Sequence, residues 1–376
     1  MNAVREWIEE RADAMADLLT RLVACETENP PGRGLAECAE VLRDAMDRLG
    51  LRPEVLEPPV VRGTAGTDGA GDGIVYFHGH FDVVPAQSRD QFTARRADGR
   101  IVGRGTADMK GGIVSMLYGA AAAQDLGLLG NGRVVIHLVC DEETGSAAGA
   151  GYLRANDLID PSALAMLTAE QSGEVVWHAA KGALSLRVDV HGKPMHVGQA
   201  PQGVNSFLRM LQIATPLGEY ANGRTIVVGG QSGGGSNFNV VPEHTWFTVD
   251  GRFDPEEDLD GELASIRAIV HEAAERAGAN VDLEVTQVAP PAHTPPDHPT
   301  AKLLAGAIEE IAGTPVRLEQ CPGCLDTRWY AELGIPAFGY GPGTMEVSHG
   351  PHEYVEEAAL HRVAAGYALF ASRLLR

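Results

Sequence analysis

Apolar residues recur at helical spacing in some stretches of the chain and form short continuous runs in others. Residues 74–77, 134–140 and 163–168 are short apolar runs, which predict buried β-strands. An alanine-rich stretch at 111–124 predicts a helix, and apolar spacing also predicts helices within residues 1–60. Strands and helices in this order are typical of an α/β fold with a mainly parallel sheet.

The pattern changes near Lys181. Residues 184–190 alternate apolar and polar side chains, as expected of an antiparallel strand with one exposed face. The same region contains further predicted strands at 225–228, 238–241 and 245–249, and predicted helices at 204–213 and 259–277. A proline-rich stretch at 289–296 follows and is typical of a linker. We therefore predict one domain formed by residues 1–180 plus 292–376, interrupted by an inserted α+β domain at 181–291.

The charge balance narrows the set of partners. The 376 residues include 30 Lys and Arg against 51 Asp and Glu, which gives a net charge of −21. Such a surface repels nucleic-acid phosphates and anionic lipids, so neither nucleic acid nor a membrane is an expected partner. The N-terminus lacks the basic start and the apolar core of a signal peptide. Five cysteines, mostly isolated, favour a reduced cytoplasmic protein.

Polar residues with metal-binding chemistry follow the predicted strands, which is where open α/β sheets bind ligands. His80 and Asp82 follow the strand at 74–77, and a carboxylate can accept the second N–H of a metal-bound imidazole. Three adjacent carboxylates at 141–143 follow the strand at 134–140. Their mutual repulsion favours a bound cation over a solvated turn. Taken alone, the His80–Asp82 pair favours a capped loop histidine over a metal ligand.

Three more candidates lie in separate segments. Asp108 precedes the predicted helix at 111–124, Glu170 follows the strand at 163–168, and His349 lies near the C-terminus. Asp108 is also consistent with a plain helix N-cap. A set of histidines and carboxylates without cysteine suits Zn²⁺ in a catalytic site, with Co²⁺ and Mn²⁺ as alternatives.

Together, these motifs resemble the M20 family of metallohydrolases, which contains di-zinc aminoacylases, deacylases and glutamate-releasing carboxypeptidases. The resemblance rests on five segments in the family's order, at 28–32, 79–85, 103–112, 141–145 and 196–205. It implies a di-metal hydrolase domain, an inserted dimerisation or lid domain, two Zn²⁺ ions and a homodimer. The implied reaction is cleavage of the amide bond in an N-acyl amino acid or related small substrate with a free carboxylate.

The resemblance also implies a role for individual residues. Asp82 would orient a metal-binding histidine, Glu142 would be the general base that activates a metal-bridging water, and His196 would polarise the scissile carbonyl. Asp108 would bridge the two metals. The full set of implied metal ligands is His80, Asp108, Glu143, Glu170 and His349. The implied substrate-binding residues are Asn239, Arg252, Lys181, Arg328 and Gly323.

The chain departs from the usual family sequence at two places, and three alternative interpretations stay open. The family often has Gly-Thr-Ser-Asp-Ala-Arg where this chain has Gly-Cys-Leu-Asp-Thr-Arg at 323–328, and Gln171 replaces the usual proline after Glu170. A dipeptidase or carboxypeptidase is the alternative within the family. A catalytically silent binding protein is the alternative outside enzymes, although such a protein would be expected to lose the base or a ligand. Cys321 and Cys324 have redox-motif spacing without a convincing following helix.

Overall fold

The computed structural model describes residues 2–67 and 73–376. Ten α-helices lie within these residues, and none of them is long and apolar enough to cross a membrane. They are α1 (Asn2–Glu9), α2 (Ala12–Ala24), α3 (Leu35–Arg48), α4 (Lys110–Asp125), α5 (Ala150–Ala155), α6 (Ser206–Ala221), α7 (Leu259–Ala277), α8 (Pro299–Ala312), α9 (Thr327–Ala331) and α10 (Glu357–Leu374).

The same residues contain sixteen β-strands and three short 3-10 helices. The strands are β1 (Glu54–Leu56), β2 (Val60–Gly66), β3 (Ile74–His80), β4 (Arg95–Ala97), β5 (Arg100–Val102), β6 (Arg133–Val139), β7 (Ala165–Thr168), β8 (Val176–Ala180), β9 (Gly182–His191), β10 (Ile226–Gly234), β11 (His244–Phe253), β12 (Asn280–Ala289), β13 (Ala292–His293), β14 (Leu318–Cys321), β15 (Ala337–Gly339) and β16 (Tyr354–Glu356). The 3-10 helices are Arg89–Phe92, Glu142–Thr144 and Val197–Gln202.

The chain packs as two compact units. The first comprises the chain up to Ala179 together with Ala292–Cys321 and Asp326–Arg376, and the second comprises Ala180–Pro291 and Pro322–Leu325. The limits predicted for the inserted domain, 181 and 291, fall at or next to the ends of the main segment of the second unit. The short segment at 322–325 was assigned by the sequence to the first domain, but it packs with the second unit.

The main sheet of the first unit follows the order β1-β2-β6-β3-β7-β15-β8-β13, with β14 paired to β8. Its central strands β6, β3, β7 and β15 are parallel neighbours, so the predicted α/β fold with a mainly parallel sheet is confirmed. β3 is buried along its whole length because its side chains are covered on both faces. The Gly- and Ala-rich helix α4 is buried over most of its length, where it packs against β3 and α10.

The second unit is an antiparallel sheet in the order β10-β11-β9-β12, with α6 and α7 packed against it. β9 and β11 alternate buried and half-buried residues, which confirms the antiparallel strand predicted at 184–190. The buried residues of the alternation form a hydrophobic core with the inward faces of the two helices. The unit therefore has a core of its own.

The strand predicted at 238–241 is wrong. Phe238 is 99% exposed, and its backbone N–H donates to the side chain of Asn237 at 2.8 Å. Val240 N–H turns back to the carbonyl of Asn237 at 3.2 Å. An asparagine that bonds the neighbouring backbone in this way favours a turn over a strand, although the flanking residues are apolar.

Candidate metal centre and active site

Three parallel strands bring the candidate residues of the first unit to one edge of the sheet. His80 is the last residue of β3, Asp141 lies two residues beyond β6, and Glu170 lies two residues beyond β7. β3 lies between β6 and β7 and runs parallel to both, so the three loops that follow these strands open at the same edge. Asp108 reaches the site from the loop just before α4.

Asp108 is shared by two groups of side chains that have metal-ligand chemistry. In the first group, Asp108 Oδ1 lies 3.1 Å from His80 Nε2, which lies 3.7 Å from Glu170 Oε1. In the second group, Asp108 Oδ2 lies 3.0 Å from His349 Nε2, which lies 3.5 Å from Glu143 Oε1. Within each group the ligand atoms all lie within 4.8 Å of one another. The two oxygens of one carboxylate therefore face two separate groups.

The donor set of both groups fits a divalent cation. Glu143 Oε1 is buried and has no hydrogen-bond partner among the described residues, so its negative charge lacks a donor. Burial, assisted by the charge of Asp108, raises the pKa of Glu170 to about 8. A cation bound within each group would compensate both carboxylates.

Without a cation, the two histidines supply the positive charge of the site. The Asp108 carboxylate, hydrogen-bonded at 3.0 Å, and the charge of Glu143, 3.5 Å away, raise the pKa of His349 to about 10. Burial opposes protonation of His80, but hydrogen bonds with Asp108 and Asp82 outweigh it and raise the pKa well above its usual value. Since a histidine must be neutral to bind a metal, loading this site releases protons.

Asp82 fixes both a histidine and the loop beside it. Its backbone carbonyl oxygen lies 3.1 Å from His80 Nδ1. Because a carbonyl can only accept, Nδ1 keeps its proton and Nε2 is the atom left for a metal. The buried carboxylate of Asp82 accepts hydrogen bonds from the backbone N–H groups of Glu142 and Glu143 at 3.3 and 3.2 Å.

Glu142 and Glu143 lie in a tight turn that follows β6. The turn is a 3-10 helix at Glu142–Thr144, and it starts from Asp141 in the left-handed conformation with φ 78°. The Asp141 carboxylate accepts a hydrogen bond from the Thr144 hydroxyl, which links the first and last residues of the turn. In this turn Glu143 belongs to the second ligand group, whereas Glu142 belongs to neither group.

Glu142 is half-buried beside the two ligand groups. Burial raises the pKa of its carboxyl group well above the usual value, with a further contribution from the charge of Glu170. A raised pKa makes a carboxylate a stronger proton acceptor. Glu142 is therefore chemically suited to proton transfer.

Asn29 contacts the site, although sequence reasoning gave it no role. Its side-chain nitrogen lies 3.1 Å from Asp82 Oδ2, 3.3 Å from Asp141 Oδ1 and 3.0 Å from Thr144 Oγ1. One amide group thus joins the carboxylate behind the histidine to the turn that carries Glu142. In the sequence it stood out only as part of the Asn-Pro-Pro-Gly stretch in the family segment at 28–32.

Gln171 also contacts the site. Its side-chain nitrogen donates to Asp108 Oδ2 at 2.8 Å, and its side-chain oxygen is buried with no partner among the described residues. The sequence marked this position as a departure, because the family usually has proline after Glu170. Proline has no side chain that could make this contact.

In the second unit, His196 and Asn239 lie on neighbouring segments. His196 forms an isolated β-bridge with Val240, and the N–H of Val197 donates to the carbonyl oxygen of Asn239 at 2.8 Å. His196 Nδ1 accepts a hydrogen bond from the N–H of Gly198 at 3.2 Å. The proton of the neutral ring is therefore on Nε2, which can donate to an oxygen.

Lys181 and Arg252 also lie in the second unit, and each is paired with a carboxylate there. Lys181 Nζ lies 2.8 Å from Asp254 Oδ1, and Arg252 Nη1 donates to Asp250 Oδ1 at 2.5 Å. The backbone N–H of Lys181 donates to the carbonyl oxygen of Gly323 at 2.9 Å. A substrate carboxylate would have to compete with these aspartates for both cations.

Arg328 lies in the first unit and is 3% exposed. Its guanidinium donates to Ser146 Oγ at 2.9 Å and lies 3.5 Å from Asp326 Oδ1. Ser146 Oγ in turn donates to Asp326 Oδ1 at 2.6 Å. The structure thus places this predicted anion-binding residue in a buried network behind the turn that carries Glu142.

Comparison with known proteins identifies the family. The sequence profile of peptidase family M20/M25/M40 matches residues 76–373, a stretch that includes both ligand groups. The chain belongs to this family. The resemblance inferred from its motifs is therefore confirmed, and the M20 chain is a hydrolase of a family that acts on amide bonds.

The chain is similar over nearly its whole length to a succinyl-diaminopimelate desuccinylase of Bordetella pertussis, with 27% identity covering 93% of this chain and 95% of the relative. Its fold is similar to that of human carnosine dipeptidase 1, with a TM-score of 0.82 and 16% identity over 99% and 98% of the two chains. A dinuclear metal-binding peptidase of the M20 family from Bacillus subtilis has a TM-score of 0.73 and 17% identity over 98% and 99%.

Proposed function

We propose that this M20 protein is a dinuclear metal-dependent amidohydrolase that removes the acyl group from an N-acyl amino acid. The observation that supports it most directly is the position of Asp108, whose two carboxylate oxygens lie 3.1 Å from His80 and 3.0 Å from His349. A carboxylate with this placement is suited to bridging two ions. The similar Bacillus subtilis peptidase is described as binding two metals.

In this proposal each metal has its own ligands and both share Asp108. His80 and Glu170 hold the first ion, and Glu143 and His349 hold the second. Imidazole and carboxylate ligands without cysteine favour Zn²⁺, with Co²⁺ and Mn²⁺ as alternatives. When bound, the metals polarise the scissile carbonyl and lower the pKa of water.

The proton is moved by Glu142. Its carboxylate takes a proton from the attacking water and passes it to the leaving nitrogen of the amide. Its backbone N–H is anchored to Asp82 at 3.3 Å, and the Asp141 carboxylate accepts a hydrogen bond from the Thr144 hydroxyl across the turn. Because the backbone is fixed by these contacts, the Glu142 side chain can exchange a proton without the turn having to move.

The proposal assigns catalysis and metal binding to the domain at 1–180 plus 292–376. The domain at 181–291 is assigned the lid and dimerisation roles. His196 polarises the scissile carbonyl through its Nε2–H, which is consistent with Nδ1 accepting from Gly198 at 3.2 Å. The substrate carboxylate is assigned to Asn239, Arg252, Lys181 and Gly323. Arg328 is left out of this set because its buried guanidinium already contacts Ser146 and Asp326. The cysteine content of the sequence supports a cytoplasmic location.

Deacylation is preferred over peptide hydrolysis because the Bordetella pertussis relative, at 27% identity, is named as a desuccinylase. The similarity to the human dipeptidase is a similarity of fold at 16% identity and does not select a substrate. A silent binding protein is disfavoured because both ligand groups and Glu142 are intact.

A substrate panel tests the proposal. Metal-free protein is loaded with Zn²⁺ or Co²⁺ and incubated with N-acetyl amino acids, N-succinyl amino acids and dipeptides, and the released amine is quantified. We expect the metal-loaded protein to hydrolyse an N-acyl amino acid and the metal-free protein to be inactive. Faster cleavage of dipeptides would replace the deacylase by a dipeptidase. Absence of hydrolysis across the panel would favour the binding protein.

We also predict that the second unit forms a homodimer. β10 is an edge strand of its sheet, and α6, which packs against β10, exposes Phe207, Leu208 and Leu211. Edge strands and exposed apolar side chains of this kind favour pairing with a second copy. Sedimentation is therefore expected to show a dimer at micromolar concentration.

The test and control variants for this prediction replace exposed leucines by glutamate, the test variant in the second unit and the control in the first. Leu208→Glu combined with Leu211→Glu is expected to yield monomers, because it places charges on the exposed face of α6. Leu303→Glu is the control, since Leu303 is an exposed leucine of α8 in the first unit. A wild-type monomer in an active preparation would contradict the prediction.

A further inference from the structure

A buried ion pair joins Arg104 to Glu353. Arg104 Nη1 lies 2.6 Å from Glu353 Oε2, and both side chains are 1% exposed. Neither residue belongs to either ligand group. Removing two charges from water costs about as much free energy as their attraction returns, so a buried pair of this kind is weak evidence for a purely stabilising role. The contacts of the pair indicate another role.

Glu353 holds the backbone at the bridging carboxylate. Its Oε1 accepts the N–H of Ala107 at 2.9 Å and the N–H of Asp108 at 3.1 Å. Its own carbonyl oxygen accepts the N–H of Gly103 at 2.9 Å. Glu353 directly precedes β16, which pairs with β5, so this contact starts from a fixed strand. The position of Asp108 is thus set by a residue far away in the sequence.

Arg104 holds the backbone at the histidine of the second group. Its Nη2 donates to the carbonyl oxygen of His349 at 3.3 Å and to Gln87 Oε1 at 2.9 Å. Gln87 Nε2 donates to the same carbonyl of His349 at 2.8 Å. His349 has φ 62°, a left-handed conformation that is uncommon for residues other than glycine. Such a conformation persists only where surrounding contacts impose it.

We propose that the Arg104–Glu353 pair positions Asp108 and His349 relative to each other and so sets the metal affinity of the site, through His349 at the second position and through Asp108 at both. The inference rests on the proposed function. Neither residue touches the reacting atoms, so both are positioning residues. Loss of partners that orient metal ligands typically lowers metal affinity by about 10–100-fold.

The two members of the pair are expected to differ in their effects. Arg104→Lys keeps the positive charge but loses the planar fork that reaches both Glu353 and the His349 carbonyl. It should lower the affinity for the second Zn²⁺ by about 10–100-fold and leave the affinity for the first nearly unchanged. Glu353→Gln should weaken both equivalents, because the shared ligand Asp108 depends on Glu353.

Competition between metal-free protein and a chromophoric chelator for Zn²⁺ measures both affinities. Arg96→Lys is the matched control and should leave the affinity for both Zn²⁺ ions unchanged, since Arg96 is an exposed arginine that pairs with Glu357 at 2.7 Å. Gln87→Leu keeps the buried pair and removes one donor to His349. It should weaken binding of the second Zn²⁺ several-fold. It serves as the test variant if Arg104→Lys is too unstable to purify.

The outcomes separate the inference from the proposed function. If the wild-type protein binds one Zn²⁺ only, the dinuclear proposal fails and this inference fails with it. If the wild-type protein binds two and Arg104→Lys binds both as tightly, the pair is not a positioning device. The melting temperature of each variant in EDTA, which removes bound metal, reports the stability of the fold. A lower melting temperature with unchanged affinity would reduce the pair to a structural role and overturn the inference.

Discussion

Replacing Glu142 by glutamine is expected to lower the turnover of the metal-loaded enzyme by about 10²–10⁴-fold, which is the usual range for loss of a general base. Glutamine keeps the size and shape of the side chain but cannot accept the proton from water. The metal content should be nearly unchanged, because Glu142 belongs to neither ligand group. Steady-state kinetics and elemental analysis on the same preparations measure both quantities.

The turn that carries Glu142 should survive this substitution. Its contacts are made by the Glu142 backbone, which donates to Asp82, and by the Asp141 side chain, which accepts from the Thr144 hydroxyl. Burial raises the pKa of the Glu142 carboxyl group, because the charged form is costly to bury. A neutral amide at this position does not carry that cost. The variant should therefore be at least as stable to heating as the wild-type protein.

A matched control is available close to the site. Glu346→Gln makes the same chemical change at an exposed residue of the loop that carries His349, and turnover should stay near the wild-type value. Near-normal turnover of a metal-loaded Glu142→Gln enzyme would contradict the assignment. Asp141 would then be the next base to test, although its carboxylate already accepts hydrogen bonds from Asn29, Thr144 and the backbone of Ala148.

Much of the fold could be predicted because periodicity reports burial directly. The buried strands at 74–77 and 134–140 and the alternating strand at 184–190 all correspond to observed strands. The strand β12 at Asn280–Ala289 was missed, although its residues alternate between exposed and half-buried. The strand predicted at 238–241 failed because local hydrogen bonding to Asn237 outweighed the apolar composition.

The candidate site was predictable as far as it depends on strand order. His80 ends β3, the turn at Glu142–Thr144 follows β6 and Glu170 follows β7. These parallel neighbours bring all three to one edge of the sheet. The contacts that position these side chains were not predictable. Glu353 reaches the backbone of Asp108 across 245 residues of sequence, and no local pattern specifies such a contact.

Replacing Asp108 by alanine is expected to remove both metals and all measurable hydrolysis, whereas replacing His349 by alanine should weaken mainly one metal. Asp108 contributes a different oxygen to each ligand group, at 3.1 Å from His80 and 3.0 Å from His349. His349 contacts the second group alone. The loss of affinity in Asp108→Ala should exceed the roughly 10–100-fold that accompanies loss of an orienting partner, because a direct ligand is removed.

Elemental analysis after loading and gel filtration distinguishes these two variants. Wild-type protein is expected to retain two metal equivalents, His349→Ala close to one, and Asp108→Ala close to none. Metal-free melting curves serve as the folding control, because all three proteins are compared there without the contribution of bound ions. One tightly held metal in Asp108→Ala would show that His80 and Glu170, or Glu143 and His349, suffice without a shared carboxylate. The bridging role of Asp108 would then have to be abandoned, since a true bridge contributes to both ions at once.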